Sequence, residues 1–343
     1  MEPSEALLSL MTLHKLGISI DTLLAQALMQ MVRFSINEYS IDEMHQLANL
    51  LRVIQKDSHT KSTLPDAIKL ALPYALKNRI NNKEMDFNNP RTLLLCLDLI
   101  STFGSDRFSD AEALRKILRF VNRNVTQHSL RQNSLLLSYI YSLDLSDDDC
   151  QALGRSIASK CIDCIINADE SELELLPSNI LVNVLAKMRK NPSFYNSKLF
   201  QLINKTALQN ENFTIKDQYF VALQNWIFKF VDYNLLSRFT QLIEENNLML
   251  FDPDGQISVT NVLQFFTLPS NSQQIHCDFT RICENIRTSK FFRSQVSKSP
   301  MMYFYFLKSC QLLNVRVSED IIQEWFNNHL QAAAEESVST SKR

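Results

Sequence analysis

Glycine is scarce in this sequence, with only four glycines in 343 residues. Strand-rich folds and Rossmann-like nucleotide-binding folds need more of them, because their tight turns and phosphate loops use backbone conformations that other residues avoid. Hydrophobic residues make up 45% of the chain, which is ample for a large buried core. We therefore expect helices joined by polar loops, arranged in one elongated repeat domain or in two compact domains.

Long hydrophobic runs are also missing. No stretch of about 18 uncharged apolar residues occurs, so we expect no membrane span. Neither a secretory signal peptide nor an Arg-rich, acid-poor mitochondrial leader is visible at the start, which reads Met-Glu-Pro-Ser-Glu. The expectation is that the protein is not imported, or that its leader lies outside this sequence.

Motifs for catalysis and for metal binding are missing as well. The six histidines form no HExxH pattern, and no kinase Gly-rich loop or His-Arg-Asp motif is present. Cys161-Ile-Asp-Cys164 could form half of a metal site, but no second pair has matching spacing, so two buried thiols are expected. Asp252-Pro-Asp-Gly255 lacks the glycine and the glutamate that a calcium loop needs farther along. We predict a protein that is not an enzyme and that has no cofactor and no bound metal.

Apolar helical segments recur along the whole chain and are separated by polar turns that contain Pro or Asn. The spacing of successive pairs lies in the range of two-helix solenoid repeats. The predicted pairs are Glu5–Leu16 with Asp21–Arg33, Ser40–Gln55 with Asp66–Arg79, Pro90–Phe103 with Ser109–Asn124, Leu130–Leu143 with Asp147–Ile166, Pro177–Arg189 with Tyr195–Leu208, Lys216–Phe230 with Leu235–Glu245, Val259–Leu268 with Ser272–Arg287, and Met301–Leu313 with Ser318–Gln331.

Local signals support this helix-pair interpretation. Ser40-Ile-Asp-Glu43 and Ser109-Asp-Ala-Glu112 are capping boxes, in which the serine and glutamate side chains satisfy each other's free amides. The segment Ser109–Asn124 continues with one apolar stripe, formed by Leu114, Ile117, Leu118, Val121 and Val125. A single pair cannot bury such a stripe, so neighbouring pairs must stack.

The predicted fold is therefore all-α, an α-solenoid of about eight stacked helix-turn-helix repeats. Residues 1–250 should contain about six helix pairs, and residues 251–333 two further pairs that continue the solenoid. The polar residues 334–343 are expected to form a disordered tail.

The second and third pairs resemble a known family. Tyr39-Ser40-Ile41-Asp42 opens a helix, His59 lies in a polar loop, Leu64-Pro65 opens the next helix, and Lys77-Asn78-Arg79 ends it. This order of features is similar to the N-terminal helical-repeat region of the FAST kinase-domain family. The resemblance implies a protein of the mitochondrial matrix that acts on organellar RNA. Members usually end in a small α/β RAP domain, which this sequence lacks, so we expect no catalytic role and a chain that is either a fragment or a divergent member of the family.

Charge is unevenly distributed along the chain, although the net charge is only −2. Residues 67–131 contain eleven Lys and Arg against six Asp and Glu, whereas residues 143–175 contain two against nine. Arg115, Arg119 and Arg123 are four apart and form a ridge on the side of their helix away from the apolar stripe. The ridge is either an ordinary solvated face or a contact for phosphates.

A second basic cluster comprises Arg281, Arg287, Lys290, Arg293 and Lys298, beside Phe291 and Phe292. The phenylalanines either stack on bases or lie buried between repeats. The acidic runs 147–149 and 169–174 precede helices, where the helix dipole favours them, and docking of a basic protein is their alternative role.

We predict an RNA-binding helical-repeat protein in mitochondrial RNA processing, stability or translation, with single-stranded organellar transcripts and other RNA-processing or ribosomal proteins as partners. The alternative is a HEAT- or armadillo-like scaffold for proteins, or a non-catalytic subunit of an RNA-processing complex. Convergence of the basic residues on a concave face favours RNA, and an apolar groove favours a protein partner. The candidate RNA-binding residues are Lys77, Arg79, Arg115, Lys116, Arg119, Arg123, Arg287, Lys290 and Arg293.

Overall fold

The structure is a computed structural model that describes residues 2–54, 63–103, 111–143, 145, 147–230, 279–288, 292 and 301–320, with single positions in 232–241 and 322–327. This part of the chain is α-helical and contains no β-strand, so the predicted all-α fold is confirmed. None of its helices is long and apolar enough to cross a membrane. The helices are α1 (Pro3–Lys15), α2 (Leu23–Phe34), α3 (Ile41–Ile54), α4 (Leu64–Asn81), α5 (Pro90–Phe103), α6 (Ala111–Asn124), α7 (Leu130–Ser142), α8 (Asp148–Ile166), α9 (Glu170–Glu174), α10 (Ser178–Met188), α11 (Ser197–Gln209), α12 (Ile215–Ile227), α13 (Phe279–Thr288) and α14 (Met301–Leu312).

The chain divides into two compact units that are interleaved in the sequence. Unit 1 contains Met1–Glu172 and Lys187–Tyr195, and unit 2 contains Leu173–Ala186 and Asn196–Arg343. The predicted division between residues 250 and 251 and the predicted tail, 334–343, lie outside the described residues.

Unit 1 stacks its first eight helices in two layers. Helices α1, α3, α5 and α7 pack one on the next and form the odd layer, and α2, α4, α6 and α8 form the even layer in the same way. Helices also pack across the layers, as α1 does on α2 and α7 on α8. This is the stacking expected of helical repeats, and the first four predicted helix pairs are confirmed, with ends that differ by a few residues.

Burial explains why α6 needs neighbours on both sides. All five residues of its predicted apolar stripe are buried, namely Leu114, Ile117, Leu118, Val121 and Val125. Helix α6 packs against α4 and α8 within the even layer. The stripe is therefore removed from water only by the stacking of successive pairs, as the sequence predicted.

A capping box starts α3 and ties it to α1. The Ser40 amide donates to Glu43 Oε2 (2.8 Å), and the Glu43 amide donates to Ser40 Oγ (3.3 Å), as predicted. The preceding Tyr39 is buried, and its hydroxyl donates to the carbonyl of Pro3 (3.0 Å). The other predicted capping serine, Ser109, lies outside the described residues.

Residues 191–194 return to unit 1 and close the end of α7. The side-chain amide of Asn191 donates to the carbonyls of Tyr141 and Leu143, each at 2.9 Å. The Tyr141 hydroxyl donates to the carbonyl of Phe194 (3.3 Å), and the two rings lie 6.0 Å apart between centroids. Because the last carbonyls of a helix have no partner within it, Asn191 supplies donors that α7 lacks.

In unit 2, α11 packs on α12 around a buried asparagine. Asn204 donates to Asp232 Oδ2 and accepts from Asn225 Nδ2, both at 3.0 Å. The two helices predicted for the fifth pair are present as α10 and α11, and the first helix of the sixth pair is present as α12. Helix α9 has only five residues and was not predicted.

The remaining predicted helices are described only in part. Helix α13 matches the end of the predicted Ser272–Arg287, and α14 matches Met301–Leu313. The predicted helix Val259–Leu268 lies outside the described residues. Only single helical positions are described within Leu235–Glu245 and, beyond residue 320, within Ser318–Gln331.

We expect Leu118→Ala to lower the free energy of unfolding by about 2–5 kcal/mol, because it removes buried methyl groups and leaves a cavity beside α6. Urea denaturation followed by circular dichroism measures the change. The matched control is Leu70→Ala on α4, where the side chain is 51% exposed. Its effect should stay within about 0.5 kcal/mol. Equal losses for the two variants would contradict the assignment of the α6 stripe to the core.

Candidate nucleic-acid interface

Of the three arginines in the ridge of α6, Arg115 forms ion pairs. Arg115 Nη2 lies 3.0 Å from Asp147 Oδ1, and Arg115 Nε lies 3.4 Å from Asp149 Oδ2. Asp147 is also the N-cap of α8 and accepts from the Cys150 amide at 3.0 Å. The amide of Cys150 and then Arg115 lower the pKa of Asp147. Arg115 therefore holds α6 to the start of α8, and the predicted capping role of the acidic run is confirmed.

The other two arginines of the ridge are exposed. Within the part of the chain that the structure describes, Arg119 and Arg123 form no hydrogen bond and no ion pair. Lys116, also exposed, pairs with Glu112 one turn earlier at 3.1 Å. Such a pair between exposed side chains contributes only about 0.3–0.5 kcal/mol, so it leaves Lys116 accessible to another anion.

Lys77 and Arg79 lie at the end of α4, which packs beside α6. Arg79 is half-buried and donates to the carbonyl of Asn37 (3.1 Å), so it fastens the turn after α2. Lys77 is half-exposed. The six candidate residues of α4 and α6 therefore belong to adjacent helices of one layer, but Arg79 and Arg115 serve the packing of that layer.

An exposed aromatic ring lies on α4, the helix of Lys77 and Arg79, and was not predicted from the sequence. Tyr74 of α4 is 65% exposed. It falls outside the apolar stripe that Ile68, Leu72 and Leu76 form on α4, and this break in the helical spacing was the signal that could have identified it. We name Tyr74, Lys77, Lys116, Arg119 and Arg123 the α4/α6 surface.

The second basic cluster is only partly described. Arg287 makes a bidentate pair with Glu284, at 2.6 and 3.0 Å, and the pKa of Glu284 is lowered mainly by this pair. Phe292 is 1% exposed and packs on Phe306 with 4.9 Å between ring centroids, so the buried alternative is confirmed for this ring. Lys290, Arg293, Phe291 and Lys298 lie outside the described residues.

A polar network in the odd layer was also missed. His45 Nε2 donates to Asp98 Oδ2 (2.8 Å), and Asn49 donates to His45 Nδ1 (3.3 Å). Arg52 donates to Asn49 Oδ1 (3.0 Å) and to Thr102 Oγ1, and lies 3.8 Å from Asp98. We name these five residues of α3 and α5 the Asp98 cluster. The side chain of Asp98 is only 14% exposed, so its charge is held by these partners.

Lys187 extends this network to α7. Its ammonium lies 5.2 Å from the centroid of the Tyr139 ring, within cation–π distance. Burial lowers the pKa of Lys187, with Asp98 opposing that change and Arg52 and Lys190 adding to it. Burial and the nearby Asp98 raise the pKa of Tyr139 to about 12, so its hydroxyl keeps its proton at neutral pH.

The cysteines behave as packing residues in the described part of the chain. Cys161 is buried, which raises the pKa of its thiol, and Cys164 one turn later is half-buried. Among the described residues, no group of three or more His, Cys, Asp or Glu side chains is arranged to hold a metal ion. The predicted pair of packing thiols is therefore confirmed for Cys161.

Comparison with known proteins identifies no relative: no protein-family model matches the chain, and no curated protein matches it. The resemblance to the FAST kinase-domain family stays a prediction. Of the residues that carry it, Tyr39 and Ser40 start α3 and Leu64-Pro65 opens α4, so they have structural roles in unit 1. His59 lies outside the described residues.

The charge of Asp98 should make the stability of unit 1 depend on pH. Burial raises the pKa of Asp98, but the His45 hydrogen bond and the charges of Arg52, His45 and Lys187 outweigh burial and lower it overall. A lowered pKa stabilises the folded state above the unfolded value of about 3.9, and this stabilisation is lost as the pH falls through the folded value.

We therefore expect Asp98→Asn to lower the free energy of unfolding at pH 7 by roughly 1.5–3 kcal/mol, the contribution of a hydrogen bond to a charged group. Below about pH 4 the difference from the wild type should shrink, because the unfolded chain then binds a proton at Asp98 while the folded state, with its lowered pKa, binds one only at lower pH. Urea titrations at a series of pH values measure this. Asp163→Asn, at an exposed position of α8, is the control. A difference that does not change with pH would contradict the role of the charge.

Proposed function

We propose that unit 1 binds single-stranded RNA at the α4/α6 surface and that the protein is a non-catalytic factor in mitochondrial RNA processing, stability or translation. The observation that carries the proposal is the pair of exposed arginines, Arg119 and Arg123, which have no anionic partner among the described residues.

The electrostatics of α6 favour an anionic partner. Like charges four residues apart on a helix repel by a few tenths of a kcal/mol, and α6 keeps two arginines at this spacing without neutralising them. Lys116, three residues before Arg119, adds a third cation to the exposed face of the helix, and its surface pair with Glu112 is weak. Phosphate groups bound to these cations would offset the repulsion between them, and binding would release the counterions of the phosphates.

The aromatic ring of Tyr74 favours a nucleic acid over a simple polyanion. Unpaired bases stack on exposed aromatic side chains with about 1–3 kcal/mol per base. Tyr74 stands on α4, beside the helix that carries Arg119 and Arg123. An exposed aromatic ring and unpaired cations on two helices that pack together are the combination that binds single strands without strong base preference.

A protein-binding scaffold remains the second candidate, and a different surface supports it. Leu16, Leu23 and Phe34 on and beside α1 and α2 are 70%, 87% and 79% exposed. Contiguous apolar patches mark surfaces that contact other proteins, and these residues are the candidates for such a patch on unit 1. The mitochondrial location and the class of transcript rest on the FAST kinase-domain resemblance.

The test is the salt dependence of binding to a labelled single-stranded RNA, measured by fluorescence anisotropy. The double change Arg119→Gln with Arg123→Gln should weaken binding and reduce the slope of log K against log salt by about 1.4, since each lost phosphate contact removes about 0.7. Tyr74→Ala should weaken binding by about 1–3 kcal/mol and leave the slope unchanged.

The matched control is Arg33→Gln with Arg131→Gln, which removes the same charge from exposed positions of α2 and α7. It should keep the slope of the wild type. Wild-type protein that is folded but does not bind RNA at low salt would overturn the proposal in favour of the scaffold. A slope that falls equally in both double variants would show that net charge alone is responsible.

A further inference from the structure

Helix α2 has a second apolar stripe on the face opposite its buried one. The buried residues of the helix are Ala25, Leu28, Met29 and Val32. The apolar residues on its exposed face are Leu23, Leu24, Ala27, Met31 and Phe34. Successive residues of an α-helix are turned by about 100°, so the exposed apolar residues share one arc about 100° wide. A stripe that faces a protein core has this width. We name these five residues the α2 stripe.

The α2 stripe is not covered within the described part of the chain. Helix α4 packs on α2, α3, α5 and α6, whereas α2 packs on α1 and α4. Leu24 is 60% exposed and Met31 37% exposed, and Leu23 and Phe34 are more exposed still. The outermost repeat of a helical stack needs a polar outer face to stay separate from other molecules, and α2 does not have one. Its surface is that of a helix packed on two sides.

The α2 stripe is complementary to a second copy of itself. In a two-fold symmetric contact, each pair of facing residues occurs twice. When two α2 helices pack antiparallel about an axis at position 29, Leu24 faces Phe34 of the second copy, and Ala27 faces Met31 of the second copy. The short side chain of Ala27 leaves room for the longer and flexible Met31. Both facing pairs join apolar residues without a charge between them.

Charge favours the antiparallel arrangement. Arg33 in the last turn is the charged residue of α2, and Asp21 lies just before the helix begins. Antiparallel packing brings Arg33 of each copy to the end where α2 of the other copy begins, near its Asp21. It also brings opposite ends of the two helix dipoles together, which is favourable. Parallel packing would bring the two Arg33 side chains together.

We propose that the α2 stripe is the contact surface of a weak homodimer, in which the α2 helices of two copies of this chain pack antiparallel. The large apolar side chains of the stripe expose on the order of 300 Å² per copy. This area fits a small and reversible interface, which buries less than about 600 Å² on each partner and is a little more than half apolar.

Sedimentation velocity of the full chain, from about 1 µM to about 1 mM, tests the proposal in the range where weak dimers dissociate. The mass should rise from 39.6 kDa towards twice that value as the concentration increases. Leu24→Gln with Phe34→Gln should weaken self-association about tenfold or more, because a few apolar anchors dominate the affinity of an interface.

The matched control is Leu70→Gln with Leu175→Gln, which removes two exposed leucines from other parts of the surface. It should associate as the wild type does. All four positions are exposed, so both double variants should keep the helix content of the wild type. A mass that stays at that of the monomer up to the highest concentration would overturn the proposal and leave the α2 stripe to a different protein. Equal weakening in both double variants would overturn it as well.

The Arg119→Gln with Arg123→Gln variant separates this proposal from the proposed RNA interface. Its changes lie on α6, so it should self-associate as the wild type does. Failure of RNA binding and failure of dimer formation are therefore distinguishable.

A cross-linking experiment tests the antiparallel arrangement. Ala27→Cys and Met31→Cys are prepared separately and oxidised either alone or mixed. The mixture should form more cross-linked dimer than either variant alone, because position 27 faces position 31 of the second copy and a disulfide needs its two Cβ atoms within about 4.5 Å. More cross-linking in each variant alone than in the mixture would indicate parallel helices and would contradict the proposed dimer.

Discussion

The inability of one helix pair to bury its own apolar stripe governs unit 1. Helix α6 has five buried apolar residues and is flanked by α4 and α8, which its own pair does not contain. Burial of a leucine or valine side chain contributes about 1.5–3 kcal/mol, so successive pairs stack even though their loops are polar. This requirement produces the two layers of stacked helices. In each layer, the face of a helix opposite its apolar stripe stays outside the core.

Stacking also decides which charges remain available. Arg115 belongs to the same ridge as Arg119 and Arg123, but it lies where α8 begins and is paired with the acidic residues there. Arg79 is likewise used to fasten the turn after α2. Arg119 and Arg123, on which the proposed RNA interface depends, are the two arginines of the ridge that the packing of the even layer does not use. The number of basic residues counted along the sequence is therefore larger than the number available to bind RNA.

Local signals were enough to predict helices α1 to α8 of unit 1. The contacts between residues far apart in the sequence could not be predicted in this way. The Ser40 capping box and the α6 stripe depend on residues three or four apart, so periodicity and side-chain chemistry identify them. The Arg115–Asp147 pair joins residues 32 apart, and the His45–Asp98 pair joins residues 53 apart. Such partners are defined by which helices become neighbours. Tyr74 is an intermediate case. The sequence shows that it lies outside the apolar stripe of α4, but it does not show which helix packs beside it.

The return of residues 191–194 to α7 has a consequence for how the protein is made. The chain leaves unit 1 after Glu172, contributes Leu173–Ala186 to unit 2, and comes back with Lys187–Tyr195. A ribosome must therefore deliver Asn191 and Phe194 before the end of α7 receives its donors and its aromatic neighbour. A fragment cut after residue 172 would contain all eight stacked helices and still lack that closure. A form of unit 1 that keeps this closure extends through Tyr195 and therefore includes Leu173–Ala186, which belong to unit 2.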